Sequence, residues 1–202
     1  MLPDALPVED TLMEGNKQTS PDEIIVDSRL SFQAALAGTA APRVITKELC
    51  LLEVRYWSFD GRLHQGQLVV NRRLQEELAD IFAIIRTARF PVARVVPIVH
   101  YGWSDKASMA DNNTSAFNYR RVAGATRLSR HATGQAIDIN PGQNPVIYTD
   151  GVSLPPGAVY APQVQGTFTP DSPIMHEFLL RGWQWGGDFQ GLKDYHHFEK
   201  LL

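Results

Sequence analysis

The apolar pattern of the first half of the chain predicts a β-hairpin followed by a helix. Residues 51–57 and 67–70 are two apolar strands, and Asp60-Gly61 between them is a turn signal. Asn71 is a suitable N-cap for a helix from Arg72 to about Thr87, because apolar side chains recur there at helical spacing. These side chains are Leu74, Leu78, Ile81, Phe82 and Ile85.

Beyond this helix, the pattern changes to short apolar runs separated by polar segments. Residues 93–99 and 136–139 are apolar runs of strand length, and both are predicted to be strands. Residues 104–114 between them are polar and are predicted to form a loop. In the second strand, alternation places Ala136 and Asp138 on one face.

The last third of the chain is predicted to contain a long surface excursion, a helix and a closing strand. Residues 141–171 are rich in Pro, Gly and Gln, which is typical of irregular structure. Ser172 followed by Pro173 predicts a capped helix, which Gly182 ends, and residues 183–198 then form a strand and a loop. This order of elements favours an α+β fold over a regular βαβ alternation.

Length and charge narrow the possible functions. The 202 residues suffice for one domain, and we expect a polar leader or linker over residues 1–40 and the domain over 41–202. The net charge of -3 argues against a nucleic-acid-binding surface. An apolar run of about 18 residues is absent, so a membrane span is not expected. Met1–Ser20 lacks the basic and apolar regions of a signal peptide.

Two short segments carry the residue types of a catalytic metal site. His131 and Asp138 lie in the first, Ser129-Arg130-His131-Ala132-Thr133-Gly134-Gln135-Ala136-Ile137-Asp138, and the second is Asp194-Tyr195-His196-His197-Phe198. Together they offer two nitrogen ligands, one carboxylate ligand and a spare carboxylate. A catalytic zinc site uses three such ligands and a water, whereas a structural site has four protein ligands, often cysteines, and this chain has only Cys50.

The residues alone leave several alternatives open. Asp138 lies in an apolar strand and would be costly to bury without a partner, which could be a metal ion or one of three nearby arginines. In a regular strand, Asp194 would share a face with His196, whereas a bend would bring it beside His197. Neither the Gly-x-Ser-x-Gly elbow of serine hydrolases nor the His-Glu-x-x-His helix of common metalloproteases is present. The three arginines are Arg120, Arg127 and Arg130.

The two-part motif Ser129-x-His131-x-x-Gly134-x-Ala136-x-Asp138 and Asp194-x-x-His197 resembles that of the VanY-like zinc peptidases of bacterial cell walls. This M15 group includes D-alanyl-D-alanine carboxypeptidases and dipeptidases and L-alanyl-D-glutamate endopeptidases. The resemblance covers roughly residues 65–200 and also includes segments 113–120, 136–141 and 182–188. It implies a single small domain with a central antiparallel sheet flanked by helices, as in Hedgehog and D-Ala-D-Ala peptidases.

The same resemblance implies roles for individual residues. His131, Asp138 and His197 would bind one Zn²⁺ ion, and Asp194 would be the general base. Many members carry Glu at the position of Asp194, and the endopeptidase branch carries Asp beside a Trp-Gly-Gly-Asp segment. Arg120 would lie near the substrate carbonyl, although Arg121 is adjacent. The remaining residues expected to contact substrate are Ser129 and Trp185, with Trp183, Tyr148 and Phe189 as further groove or core aromatics.

The expected function is therefore zinc-dependent hydrolysis of an amide bond in peptidoglycan stem peptides. The L-Ala–D-Glu bond is favoured, and D,D-carboxypeptidase activity is the close second. The resemblance implies peptidoglycan peptides as partners and the cell envelope, periplasm or extracellular space as location. One alternative is a non-catalytic module that keeps zinc and binds cell-wall peptide. Another is a buried polar network without metal, which is costly when its groups are unpaired.

Overall fold

The computed structural model of the chain describes residues 23–202. The strands of this region are β1 (Ile25–Val26), β2 (Leu49–Trp57), β3 (Leu63–Asn71), β4 (Arg94–Val95), β5 (Asn113–Thr114), β6 (Ala136–Asp138), β7 (Val146–Tyr148), β8 (Ser153–Leu154), β9 (Gln184–Trp185), β10 (Leu192–Asp194) and β11 (His197–Glu199). The α-helices are α1 (Phe32–Ala35), α2 (Arg43–Thr46), α3 (Gln75–Thr87), α4 (Asp105–Ala110) and α5 (Pro173–Leu180). Short 3₁₀ helices cover Arg72–Leu74, Ile98–Tyr101, Arg130–Thr133 and Gly186–Asp188.

The predicted hairpin is confirmed, and it forms the longest strand pair among the described residues. Strands β2 and β3 pair antiparallel from Leu49↔Asn71 to Trp57↔Leu63, and β1 joins β3 in parallel. Alternate residues of the hairpin point to opposite sides. Leu52 and Val54 join the larger hydrophobic core, whereas Leu49 and Val69 join a smaller one with α1. The hairpin therefore separates two apolar clusters.

The helix predicted after Asn71 is also confirmed, with a 3₁₀ turn at its start. The Asn71 side chain accepts a hydrogen bond from the backbone N–H of Arg73, and α3 then continues to Thr87. The predicted apolar residues of this helix are buried and contact the hairpin face in the larger core. Burial of one such face is what stabilises an amphipathic helix of this length.

The mixed α/β class agrees with the prediction, but the strands form several small sheets. These are β1-β3-β2, β10-β7-β8 and β6-β11-β9, with β4-β5 as a separate pair. The sheet of β6 is joined to the hairpin by single hydrogen bonds, such as the 2.9 Å bond from Asn71 N–H to Gly134 O. Because such bonds do not continue into a ladder, a single central sheet flanked by helices is not confirmed.

Some of the remaining predicted elements differ from those in the structure in type or in length. The loop predicted over 104–114 is wrong, because Ser104 caps helix α4 through the backbone N–H of Ala107. The strand predicted over 93–99 is limited to β4, since Pro97 has no N–H to donate and a 3₁₀ turn follows it. The excursion over 141–171 includes the hairpin of β7 and β8. The helix after Ser172 is confirmed as α5, with Pro173 in its first turn.

Residues before position 40 already contact the remainder of the fold. Asp27 N–H donates to Gln65 O at 2.9 Å, and Phe32 packs on the smaller core. The expected domain boundary at residue 40 stays a prediction, and the signal-peptide analysis of Met1–Ser20 lies outside the described residues. Across residues 23–202, no helix has the length and apolarity needed to cross a membrane.

Gly134 provides a test of how the hairpin constrains the first motif. Its φ is +66°, and an added Cβ would lie 2.6 Å from Asn71 N. Gly151 also has a positive φ, +82°, but no atom lies within 4 Å of an added Cβ. We expect Gly151→Ala to lower the free energy of unfolding by about 1–2 kcal/mol through backbone strain. Gly134→Ala should lower it by roughly a further 1–3 kcal/mol through overpacking.

Urea unfolding of both variants and the wild type measures this difference. Gly151→Ala is the matched control, because it shares the left-handed backbone and has no close neighbour. Equal losses in the two variants would contradict the close contact between Gly134 and β3.

Candidate metal centre and active-site cavity

Three side chains from three elements converge on one point. His131 lies in the 3₁₀ helix Arg130–Thr133, Asp138 ends β6, and His197 begins β11. His131 Nε2 is 3.1 Å from both Asp138 Oδ1 and His197 Nδ1, and His197 Nδ1 is 2.9 Å from Asp138 Oδ1. All three residues are buried. The family resemblance implied these three residues as one ligand set, and the fold brings them together.

Local backbone structure explains this convergence. Ser129 caps the 3₁₀ helix by accepting the backbone N–H of His131, and Gly134 ends that helix in the left-handed conformation. Asp138 is then the residue of β6 that pairs directly with His197 of β11. A turn at Tyr195 and His196 separates β10 from β11. The chain therefore bends, which places His197 in the cluster.

Each histidine is oriented by the ring nitrogen that points away from the cluster. His131 Nδ1 contacts the carbonyl oxygen of Ala116, so this nitrogen carries the proton and Nε2 presents its lone pair. His197 Nε2 lies 3.1 Å from Glu199 Oε2, which leaves Nδ1 toward the cluster. Such outer partners fix the tautomer and orientation of histidine ligands. Glu199 was not predicted, although its position two residues after His197 on the same strand face is a sequence signal.

Burial and charge oppose each other in the cluster. Burial alone would raise the pKa of Asp138, but the charges and hydrogen bonds of the surrounding histidines, above all His131 and His196, hold that pKa well below its usual range. Burial would likewise lower the pKa of His197, but its hydrogen bonds to Asp138 and Glu199 raise it to about 10. In the metal-free protein, His197 is therefore protonated at neutral pH. A proton and a metal ion compete for the same lone pair.

The donor set fits a divalent transition metal ion. One ligand atom from each of the three residues lies within 4.8 Å of the other two. In a tetrahedral site with bonds of about 2.0–2.1 Å, ligand atoms are roughly 3.3 Å apart, close to the separations in this cluster. Among residues 23–202, Asp138 has no arginine partner, which removes the salt-bridge alternative. Three protein ligands leave a fourth position for water or substrate.

The cluster lies in the wall of a cavity of about 270 Å³, which Asp194 and Arg120 also line. Arg120 forms a 3.0 Å ion pair with Asp105, whereas Arg121 bonds the backbone of Thr126 at the surface. Of these two arginines, Arg120 lines the cavity, as Arg127 and Arg130 also do. Tyr148 and Phe189 also line the cavity, and the Phe189 ring centroid lies 5.9 Å from that of His197.

The two residues expected to contact substrate differ in location. Ser129 is buried and lines the cavity. Trp185 is 5% exposed, belongs to the larger core and donates its indole N–H to Tyr195 O at 2.9 Å, so it supports the turn before His197. Trp183 is likewise in the core.

Gly186 allows the segment after Trp185 to lie against the second motif. A Cβ on Gly186 would be 2.4 Å from Asp194 O, 2.9 Å from Asp194 Cβ and 3.2 Å from His197 Cβ. A side chain at this position would displace the backbone that carries both residues. Close packing against Asp194 and His197 therefore requires glycine at position 186.

The raised pKa of His197 gives a pH-dependence that can be measured in chelator. Between the ordinary value of 6.5 and the folded value of about 10, the native protein binds more protons at His197 than the unfolded chain does. This contribution to stability is complete below pH 6.5 and is lost as pH rises toward 10. The free energy of unfolding should therefore fall by up to about 1.4 kcal/mol per pH unit in this window.

Glu199→Gln removes one of the three carboxylates that raise the pKa of His197, which are Asp138, Glu199 and Asp194. Denaturant unfolding of the metal-free wild type and variant at several pH values should show a shallower fall in the variant. An identical pH slope for both proteins would contradict the role of Glu199.

Comparison with known proteins agrees with this geometry. No curated protein and no solved structure matches the chain. Residues 123–200 match the M15 peptidase family model described as D-alanyl-D-alanine carboxypeptidase. This segment contains the three cluster residues and Asp194, and it begins just after Arg120. Over this C-terminal segment the chain is similar to M15 peptidases, and the match supports a peptidase acting on peptidoglycan peptides.

Proposed function

We propose that this chain is a zinc-dependent peptidase that hydrolyses an amide bond in peptidoglycan stem peptides. The observation that carries the proposal is the buried cluster of His131, Asp138 and His197 in the wall of a cavity that Asp194 also lines. Metal ligands, a spare carboxylate and a space for substrate are the components of metal-assisted hydrolysis.

Zinc is favoured by the ligand types. Two imidazole nitrogens and one carboxylate oxygen are common ligands of catalytic zinc, although other divalent ions accept the same set. When bound, Zn²⁺ lowers the pKa of a coordinated water to about 7 and supplies a hydroxide nucleophile at neutral pH.

The roles of the protein groups follow from their positions. Asp194, at the end of β10, accepts a proton from the attacking water and returns it to the leaving amine. Arg120 contributes a fixed positive charge in the cavity, where it stabilises the oxyanion that develops on the substrate carbonyl. Ser129 contacts the peptide from the cavity wall.

We favour cleavage between L-Ala and D-Glu. Asp194, rather than Glu, and the Trp185-Gly186-Gly187-Asp188 segment resemble the endopeptidase branch, and Gly186 packs directly on Asp194. The family description supports D,D-carboxypeptidase activity as the second candidate. Both reactions place the enzyme in the cell envelope or outside the cell, where peptidoglycan lies.

The rival function is a non-catalytic module that keeps the metal and binds cell-wall peptide. Asp194 and Arg120 argue against it, because a binding module has no use for a proton acceptor beside an open metal position. This difference makes Asp194 the residue that separates the two functions.

Asp194→Asn should lower kcat by roughly 10²–10⁴-fold, because the variant cannot accept the proton. Zinc content should remain that of the wild type, since Asp194 is outside the ligand set. Hydrolysis of purified muropeptides and metal analysis measure the two quantities. Asp188→Asn is the matched control, because Asp188 is exposed and does not line the cavity. Wild-type turnover in Asp194→Asn would rule out the proposed mechanism.

Chelation should abolish hydrolysis, and added Zn²⁺ should restore it, because activation of the attacking water at neutral pH would depend on the ion. Mass spectrometry of muropeptide products identifies the bond. A released peptide that begins with D-Glu assigns endopeptidase activity, and loss of terminal D-Ala assigns carboxypeptidase activity. If the zinc-loaded protein binds muropeptides and forms neither product, the binding module is the correct function.

A further inference from the structure

His196 is a buried histidine beside the cluster that the proposed mechanism leaves without a role. It is 2% exposed and lines the cavity wall. Its Nδ1 lies 2.7 Å from the carbonyl oxygen of Asn144, and its own carbonyl accepts the backbone N–H of Ile139 at 3.0 Å. The ring is therefore held both by its backbone and by one nitrogen.

The group that holds this ring is itself rigid. Asn144 is fully buried, and its side-chain amide donates to Ile139 O, Asn140 O and Gly166 O. Its side-chain oxygen accepts the backbone N–H of Phe168 at 2.7 Å. With these bonds, the carbonyl oxygen of Asn144 is a fixed acceptor, and His196 Nδ1–H donates to it.

This arrangement aims the other ring nitrogen at Asp194. His196 Nε2 lies 3.0 Å from Asp194 Oδ1, in ion-pair contact, and 3.9 Å from Asp138 Oδ1. Asp194 Oδ1 is a buried atom without an aligned hydrogen bond to any described residue. A buried carboxylate oxygen is costly without a compensating charge or donor, and a His196 ring that carries a proton on both nitrogens supplies it.

We infer that His196 is a positioning residue that holds the carboxylate of Asp194 in its proton-accepting orientation. The chain of contacts runs from the buried Asn144 carbonyl through the His196 ring to Asp194 Oδ1. The inference rests on the proposed function, since it assigns His196 an effect on turnover through Asp194. It also explains why the residue next to a cluster ligand is a buried histidine that lies outside the ligand set.

Two substitutions of His196 test its contact with Asn144 and its contact with Asp194 one at a time. His196→Asn keeps a donor near the position of Nδ1, toward Asn144, and removes the group that reaches Asp194. His196→Gln keeps a donor near the position of Nε2, toward Asp194. A residue with only a structural role would be replaced better by Asn, whereas a positioning residue would be replaced better by Gln. His176→Asn is the control, because His176 is exposed on α5.

We expect His196→Asn to lower kcat on muropeptides by about 10–100-fold, with KM and zinc content unchanged. His196→Gln should recover most of this loss. In the Asp194→Asn background, His196→Asn should have no further effect, because His196 acts through Asp194. Wild-type kcat in His196→Asn, or an equal loss in both single variants, would overturn the inference.

Circular dichroism and zinc content of each variant show whether the fold is kept. If His196→Asn does not fold, His196→Gln decides: kcat within about tenfold of wild type supports positioning, and a loss equal to that of Asp194→Asn overturns it. If the proposed function itself is wrong, Asp194→Asn will keep the turnover of the wild type. This result differs from the one that overturns the role of His196. An inactive Asp194→Asn beside a fully active His196→Asn overturns only the role of His196.

Discussion

The antiparallel register between β6 and β11 is the constraint on which the site depends. It pairs Asp138 with His197 and Ile137 with Phe198, so one set of hydrogen bonds fixes both the cluster and the core behind it. A shift of one residue would turn Asp138 and His197 away from each other, because side chains alternate along a strand. Phe198 and Ile137 are fully buried, and they resist such a shift.

Around this register, backbone carbonyls and carboxylates orient the polar side chains. Ala116 O holds His131, Asn144 O holds His196, and Glu199 holds His197. Each of these groups accepts the proton of a ring nitrogen that faces away from the cluster or from Asp194. The buried site is thus supported by acceptors from several elements, as expected where polar groups are removed from water.

The sequence predicted the parts of the molecule that have periodic or spaced signals. The hairpin and α3 have long apolar patterns, and α5 has Ser172 and Pro173 at its start. Helix α4 was missed because its six residues are mostly polar and small, with Ser104 as the main signal. The sheets of two or three short strands have too few residues for a period to predict their order.

The candidate site also contains residues that have a sequence signal and groups that have none. The residue types of the two motifs indicated a metal site, and the family resemblance implied His131, Asp138 and His197, because spacing alone left His196 and His197 open. The turn at Tyr195 and His196 is what brings His197 to the cluster. Carbonyl acceptors such as Ala116 O have no side-chain signature, so only the fold identifies them. Trp185 illustrates the opposite case, since an aromatic residue near a motif fits a groove or a core equally well and here lies in the core.

The long excursion between β6 and β11 separates His197 from Asp138 by 59 residues and from His131 by 66. An ion bound by all three would close this loop and act as a cross-link between distant parts of the chain. Loop-closure entropy grows slowly with length, by about 0.6 kcal/mol for each doubling. Exposed turns within residues 141–171 can therefore lengthen or shorten at small thermodynamic cost while β6 and β11 keep their register. Because Tyr148 and Leu154 of this excursion also line the cavity, such changes can reshape the cavity wall without moving His131, Asp138 and His197.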